Sequence, residues 1–311
     1  MKENNLDNQY IDLCRKILLT GSSKEGRNGN TISVFGEQIV HYMGNGFPIL
    51  TTKKVPFKTV ATELMWFMLG RTDLRWLLER NCNIWTGDAY KRYYDNSHEF
   101  RGDWPDDIES FKKRILDDVG FSNKWGDLGA IYGAQWRKTG KTMVDQLSLV
   151  IRQLKDNPDN RRMLVNAWNI EELPEMVLPP CHYSFQFYTH KLRDGRRAVS
   201  LLWNQRSVDV PLGLPFNIAS YGLLLEIIAK EVDMVPYKLV GNLGDCHIYE
   251  NQIEGIQEQI NRFPKDLPTL KIKNNRNLRS ALAFDGDNIY LSDYKLIGYD
   301  PHPTIKFPLS N

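Results

Sequence analysis

The spacing of apolar positions predicts several short helices, followed in the second half of the chain mainly by strands. Apolar residues recur at helical intervals in the first half, whereas β-branched and aromatic residues alternate with polar ones further on. Helices are predicted over 8–19, 56–69, 74–79, 144–155, 220–232 and 251–262, and strands over 31–43, 161–168, 181–192, 197–205 and 238–249. Gly36 marks an irregularity in the first strand. The pattern indicates a mixed α/β protein.

Residues 86–125 are the most polar stretch and interrupt this core-forming pattern. They lack the composition of a linker. The sequence therefore predicts one domain over 1–311 that carries a small inserted surface subdomain at 86–125.

Composition restricts the function classes. The 311 residues are 41% hydrophobic and 25% charged, which is typical of a globular chain with a full core. The net charge of +2 argues against a protein built around long nucleic acid, so an anionic partner should be small. The start, MKENNLDNQY, lacks a signal peptide, and no stretch is apolar enough to cross a bilayer, so we expect a cytoplasmic protein with no membrane contact. The four cysteines are scattered, which predicts neither a disulfide framework nor a metal site.

Cys181 is the first candidate for chemistry. It opens a predicted strand directly behind Pro179 and Pro180, and a rigid approach suits a nucleophile. Its neighbour His182 points to the opposite face of a strand, which weakens a cysteine–histidine pair, whereas Arg206 on a neighbouring strand can favour the thiolate. The alternative is a cysteine that only packs in the core.

Glu63 lies among apolar residues in the segment TELMWF. A buried carboxyl has its charged form disfavoured and can hold and release a proton near neutral pH. A position on the solvent face of the helix is the equal alternative.

Several polar side chains could bind a nucleotide. Guanidinium groups and a hydroxyl suit a phosphate dianion, although a surface ion pair is the ordinary role of any one arginine; the candidates are Arg27, Arg161, Arg162, Arg206 and Ser207. Asn217, at the predicted start of a helix, offers the donor and acceptor that match uracil, with helix capping as the alternative. His247 and Tyr249, two apart on a strand, face the same side and could share a sugar hydroxyl.

Longer motifs link these residues. They occur in the order EGRNGNTISVFG, GFPILTTKK, TELMWF, NIW, LGAIYGAQWR, VDQ, RRMLVNAWN, LPPCHYSFQFY, NQRSVDVPLGLPFNIASY, GDCHIY and YDPHPTIK. In content and order they resemble the thymidylate synthase family, from the first loop to near the C-terminus. The resemblance implies a bent mixed β-sheet packed with helices, and two copies paired back to back through their sheets.

The resemblance also implies a role for each matching residue. Cys181 would add to C6 of dUMP, Arg27, Arg206 and Ser207 would hold its phosphate, and Arg161 and Arg162 would come from the other subunit. Asn217 would recognise the base, and His247 and Tyr249 the sugar. Glu63 and Tyr132 would handle protons, and Asp209 would contact both ligands. The folate residues would be Lys53, Ile84, Trp85, Leu212 and Phe216, with no metal.

The implied reaction is the reductive methylation of dUMP to dTMP. Addition of the thiolate at C6 makes C5 nucleophilic, and the folate cosubstrate, 5,10-methylenetetrahydrofolate, supplies both the carbon and the hydride, leaving dihydrofolate.

Two departures from the family pattern keep an alternative open. Thr86-Gly87-Asp88 replaces a segment that usually carries a second tryptophan, and the chain ends in the polar pair Ser310-Asn311. Looser closure over the folate would let water replace hydride, giving a dUMP hydroxymethylase, or less readily a dCMP hydroxymethylase because Asn217 stands where that enzyme carries aspartate. Weak RNA binding is a second possibility, which the balanced charge supports little.

Overall fold

The computed structural model describes residues 4–26, 29–96, 105, 107–140, 142–273 and 291–308. Its helices are α1 (Asn5–Thr20), α2 (Phe57–Met68), α3 (Leu74–Leu78), α4 (Thr86–Asn96), α5 (Ile108–Asp117), α6 (Val119–Trp125), α7 (Gly133–Lys138), α8 (Gln146–Asp156), α9 (Gly213–Glu231) and α10 (Ile253–Gln259). The strands are β1 (Ser22–Gly26), β2 (Gly29–Tyr42), β3 (Leu164–Asn166), β4 (His182–Lys191), β5 (Arg197–Asp209), β6 (Val235–Tyr249), β7 (Thr269–Ile272) and β8 (Tyr294–Ile297). All the predicted helices and strands are present, which confirms the mixed α/β fold class.

A six-stranded mixed sheet is the main feature of the fold, with the strand order β1-β2-β6-β5-β4-β3. β5 and β6 are parallel, whereas β2 pairs antiparallel with β6 and β4 pairs antiparallel with β5. The predicted irregularity is present, because Gly36 has a φ of +82° inside β2. The three long central strands place the ends of β5 and β6 side by side, so Asp209 lies opposite His247.

Helix α9 is apolar on nearly all sides and packs on β5 and β6. It begins at Gly213, earlier than the predicted start at Ser220. Pro215 lies in its first turn, where the missing N–H of proline costs no helical hydrogen bond. The early start places Asn217 inside the helix, so the expectation that this residue stands at the mouth of the helix is wrong.

Contacts divide the described chain into two compact units. The first lies within 1–61, 148–165 and 181–310, and contains the large sheet together with α1, α9 and α10. The second lies within 62–147 and 166–180, and contains α3 to α7. The prediction of one domain with an inserted subdomain stays a prediction.

The polar segment 86–125 forms α4, α5 and α6 around an aromatic cluster of its own. Tyr93 contacts Phe111 at a centroid distance of 5.2 Å, Trp125 at 5.3 Å and Phe121 at 5.5 Å. Tyr93 and Phe111 are buried, although the surrounding sequence is polar. The segment 86–125 therefore has a small core, which the composition alone did not indicate. Among the helices that the structure describes, none is long and apolar enough to span a membrane.

Candidate active site

Cys181 lies immediately before β4, and the backbone ties it to Arg206. The carbonyl oxygen of Cys181 accepts a hydrogen bond of 2.8 Å from the backbone N–H of Arg206 on β5. The Cys181 side chain is half-buried and the Arg206 side chain is exposed. The fold thus places Cys181 beside an arginine on the neighbouring strand, and the cysteine is only half-buried.

The other three cysteines have a different environment. Cys14, Cys82 and Cys246 are fully buried. Burial is the main cause that raises the pKa of each of these thiols to about 12. A buried thiol with such a pKa forms almost no thiolate at neutral pH. Cys181 is therefore the cysteine whose environment suits nucleophilic chemistry.

His182 is buried beside the cysteine and pairs with a tyrosine. Its Nδ1 lies 2.8 Å from the hydroxyl oxygen of Tyr221 on α9. Burial lowers the pKa of His182 to about 3, so the ring is neutral and a weak base at neutral pH. This environment agrees with the prediction that His182 is not the activating base.

Glu63 is buried in α2, with only 8% of its surface exposed, so the alternative position on the solvent face is wrong. One of its oxygens accepts a hydrogen bond of 2.9 Å from the indole N–H of Trp85. Burial raises the pKa of Glu63 to about 7, and the bond from Trp85 opposes that rise. A carboxyl with this pKa can give and take a proton under physiological conditions.

Aromatic rings surround Trp85 in the same unit. Tyr132 contacts Trp85 at a centroid distance of 5.8 Å and Phe67 at 4.8 Å. Tyr132 has a φ of +25°, which is unusual for a residue with a side chain. Backbone strain of this kind persists where the surroundings hold a residue in place. The fold thus brings Glu63, Trp85 and Tyr132 together, whereas Ile84 is half-buried beside them in sequence.

Asn217 lies in the second turn of α9 and faces β5. Its Oδ1 accepts a hydrogen bond of 3.0 Å from the Nε2 of Gln205. Asn217 therefore does not cap the helix, since Leu212 occupies that position. Gln205, which is 3% exposed, was not among the candidates from the sequence; a glutamine among the apolar residues of a strand is the signal that could have revealed it.

The ends of β5 and β6 bring three further candidates together. His247 and Tyr249 share a face, and their rings are perpendicular at a centroid distance of 5.3 Å. Asp209 lies opposite His247, and its Oδ1 accepts a hydrogen bond of 2.9 Å from the N–H of Leu212. Burial raises the pKa of the Asp209 carboxyl, and the Leu212 bond partly opposes this. Ser207 is on the same strand and half-buried.

Lys53 is buried under the C-terminal segment. Its ammonium group donates a hydrogen bond to the carbonyl oxygen of Pro211 and lies 4.5 Å from the ring centroid of Phe307. Burial lowers the pKa of Lys53 to about 8, and the negative charge of Asp209 opposes the change. The last described residue of the tail, Pro308, accepts a hydrogen bond of 3.2 Å from Gln252. The tail is thus held against the unit that carries Lys53.

The loop before Lys53 depends on a residue that the sequence analysis missed. Asp7 is fully buried, and its carboxylate accepts hydrogen bonds from the N–H and hydroxyl groups of both Thr51 and Thr52. No signal in the sequence links residues 44 positions apart. Together these charge-assisted hydrogen bonds to Asp7 stabilise one conformation of the loop and so position Lys53.

The arginines occupy different parts of the sheet. Arg161 and Arg162 are exposed just before β3, at the edge of the sheet, whereas Arg206 is on the more central β5. The backbone N–H of Arg162 donates to Asn160 Oδ1 at 2.8 Å, which orders the turn that carries this exposed residue. Arg27 lies outside the described residues. Leu212 and Phe216, at the start of α9, are half-buried.

Together the fold and these side chains define a class of mixed α/β enzymes with a half-buried cysteine, an arginine on the neighbouring strand and polar side chains at the adjacent strand ends. Comparison of the sequence with known families identifies the particular family. The sequence model of the thymidylate synthase family matches residues 8–311, and the chain belongs to this family of methyltransferases. The predicted family and fold class are confirmed.

Curated relatives agree with the family match. A thymidylate synthase of Listeria monocytogenes serotype 4a (strain HCC23) is 43% identical, over 97% of this chain and 99% of the relative. A thymidylate synthase of Listeria innocua serovar 6a (strain ATCC BAA-680 / CLIP 11262) matches with the same identity and the same coverage. The similarity therefore extends over essentially the whole length of both proteins. Within the part of the chain that the structure describes, no three His, Cys, Asp or Glu side chains are grouped as metal ligands would be.

Proposed function

We propose that the chain converts dUMP to dTMP by reductive methylation, with 5,10-methylenetetrahydrofolate as cosubstrate and dihydrofolate as the second product. The observation that carries this proposal is the environment of Cys181, which is half-buried and tied through its backbone to Arg206, whereas the other cysteines are buried and have a raised pKa. A thiolate at this position can add to C6 of the pyrimidine ring and make C5 a nucleophile.

The nucleotide would be bound by side chains at the ends of β5 and β6 and in the second turn of α9. Arg206 and Ser207, with Arg27, would bind the phosphate. Asn217 would recognise the base, and the paired rings of His247 and Tyr249 would bind the sugar hydroxyl. Asp209 would contact both ligands, and its pKa, raised by burial, suits a carboxyl in a site that excludes water.

Proton transfer would be the role of Glu63, assisted by Tyr132 at C5. The pKa of about 7 supports this role, because such a carboxyl is partly protonated and partly ionised at neutral pH. Trp85, by donating to the carboxylate, would keep the pKa from rising further.

The folate would supply the one-carbon group and the hydride. Apolar side chains suit its flat rings; we propose the half-buried Ile84, Leu212 and Phe216 and the buried Trp85 for this role. The ammonium of Lys53 suits an anionic glutamyl tail, although in this structure it faces Pro211 and Phe307. Binding through Lys53 would thus require the contact with Phe307 to change.

The product distinguishes this proposal from the hydroxymethylase alternative. We expect purified protein, supplied with dUMP and methylenetetrahydrofolate, to form dTMP and dihydrofolate in equal amounts, which absorbance and mass spectrometry measure. Hydroxymethyl-dUMP formed without dihydrofolate would instead show that water replaces hydride. Replacement of dUMP by dCMP is the control, and preferential turnover of dCMP would contradict the assignment of Asn217 to uracil.

We further propose that the active enzyme is a homodimer formed through the open face of the sheet, with Arg161 and Arg162 contributed to the partner's site. Along β5, buried Leu201 and Trp203 alternate with the half-buried Leu202 and Asn204, which point to the other face. On β2, Phe35 is 81% exposed. An apolar ring this exposed on a sheet is typical of an interface. Two arginines from the partner would complete the neutralisation of a phosphate dianion.

Mixing of inactive variants tests this arrangement. Cys181→Ala and the double variant Arg161→Ala/Arg162→Ala should each be nearly inactive, because one lacks the nucleophile and the other the partner's cations. After mixing and subunit exchange, half of the dimers are mixed and each has one intact site, so about a quarter of wild-type activity should return. A mixture that stays inactive although exchange is complete would contradict shared sites. Mixing Cys181→Ala with Glu63→Gln is the control, because neither of these residues is a cation contributed across the interface.

A further inference from the structure

A chain of buried hydrogen bonds leads from β5 to Asn217. The indole N–H of Trp203 donates to Gln205 Oε1 at 3.2 Å. The Nε2 of Gln205 donates to the carbonyl oxygen of Ser207 at 3.1 Å and to Asn217 Oδ1 at 3.0 Å. Trp203 and Gln205 are both buried, so no bulk water competes for these bonds.

The chemistry of the partners fixes the direction of each bond. An indole N–H can only donate, so Trp203 must face the oxygen of the Gln205 amide. A backbone carbonyl can only accept, so Ser207 must face the nitrogen of the same amide. The second hydrogen of that nitrogen points to Asn217, which therefore has to present its oxygen. A reversed Asn217 amide would place two N–H donors against each other.

Trp203 itself has no room to move. Its ring stacks on Tyr221 at a centroid distance of 5.3 Å and an angle of 8°. Gly241, its neighbour on β6, also lies close to the ring, because an added Cβ there would come within 2.3 Å of the indole. The glycine leaves the space that the indole fills, and the packing fixes the position of the indole N–H.

We propose that Trp203 is a positioning residue that contributes to selection of the nucleobase, because it holds the Gln205 amide, and through it the Asn217 amide, in one orientation. Uracil offers N3–H as a donor and O4 as an acceptor, whereas cytosine offers an acceptor at N3 and a donor at C4. An amide that can turn over matches either base, in one orientation each. An amide that Trp203 and Gln205 hold in one orientation matches only one of the two bases. This inference rests on the proposed function, in which Asn217 binds the base.

The test is the ratio of kcat/KM for dUMP to that for dCMP, together with the dissociation constants of both nucleotides from titration calorimetry. Trp203→Phe keeps an aromatic ring against Tyr221 but removes the N–H, so Gln205 loses the bond that holds its oxygen. We expect the ratio to fall about five- to tenfold, which corresponds to one hydrogen bond. Gln205→Met removes both the donor and the acceptor at similar volume and should lower the ratio at least as much.

Tyr221→Phe is the matched control, because it removes a buried hydrogen bond to His182 from the same cluster without changing the bonds to Asn217. It should leave the ratio unchanged even if it lowers the overall rate. An equal fall in the ratio for Tyr221→Phe would overturn the inference, because general loosening would then explain the effect. If the wild type is active and the ratio is unchanged in both Trp203→Phe and Gln205→Met, the inference is overturned but the proposed function is not. A wild type that neither binds nor converts dUMP would overturn the proposed function with it.

Discussion

Cys181→Ala should lose at least about 10³-fold in kcat, because no other group can form the covalent bond to C6 of the pyrimidine. Cys181→Ser should be almost as inactive, since a hydroxyl is far less ionised than a thiol at neutral pH. The structure gives no substitute nucleophile among the cysteines, because burial raises the pKa of Cys14, Cys82 and Cys246 to about 12.

Mass spectrometry with 5-fluoro-dUMP and methylenetetrahydrofolate checks the position of the bond. In the wild type, a stable adduct should form on the peptide that contains Cys181, and it should be absent from Cys181→Ala. Cys246→Ala is the matched control, because it removes a buried thiol from β6 and should keep the adduct. An adduct on any other residue, or near-normal turnover of Cys181→Ala, would refute the proposed mechanism.

Glu63→Gln should lower kcat by about 10²- to 10⁴-fold, which is the usual contribution of a positioned acid or base. The amide keeps the size of the side chain but cannot exchange a proton. The pH profile of kcat should show an inflection near pH 7 in the wild type, where Glu63 titrates, and should lose it in Glu63→Gln. An inflection that persists in this variant would assign it to another group.

Trp85→Phe tests the cause of that pKa. The indole N–H stabilises the Glu63 carboxylate, so its removal should raise the pKa and move the inflection to higher pH. Trp66→Phe is the control, because it loses a part-buried indole hydrogen bond of 3.1 Å to the carbonyl oxygen of Asp73 and leaves Glu63 and Trp85 unchanged. The inflection should not move in that variant.

The same carboxyl makes stability depend on pH. The pKa of Glu63 is about 7 in the folded protein, against 4.5 for an ordinary glutamate, so the folded state holds the proton more tightly between these limits. As pH rises from about 4.5 through about 7, the free energy of unfolding should therefore fall, by up to roughly 3 kcal/mol from this group. Chemical denaturation should show Glu63→Gln gaining stability over the wild type at pH 8 relative to pH 5.

The elements of this fold were largely predictable, and their ends were less so. Residues 56–69 and 181–192 have unmistakable periodicity, and the structure has α2 and β4 there. The start of α9 was missed because Gly213 and Pro215 disfavour helix in isolation, whereas packing against β5 and β6 stabilises it. The small core of the segment 86–125 was missed because its aromatic rings are spread among charged residues.

In the candidate site, too, some residues could be identified from the sequence and others only from the packing. Cys181 and Asn217 were identified from local motifs and their resemblance to a family. Gln205, which donates a hydrogen bond to Asn217, lies on another element, and Asp7, which orders the loop before Lys53, is 44 and 45 residues from its partners. Such bonds have no periodic signal, because they depend on how elements pack rather than on the spacing within one element.

Periodicity and motif order are local properties of the chain, and they were enough to establish the fold class, the family and the candidate nucleophile. Whether Glu63 faces solvent or the core depended on packing, which gave the carboxyl a pKa near 7 through burial and the bond from Trp85. Packing also determined which cysteine thiols are accessible and which way the Asn217 amide points. Desolvation and hydrogen bonding arise only when distant segments meet, and they determine the chemistry of each of these groups.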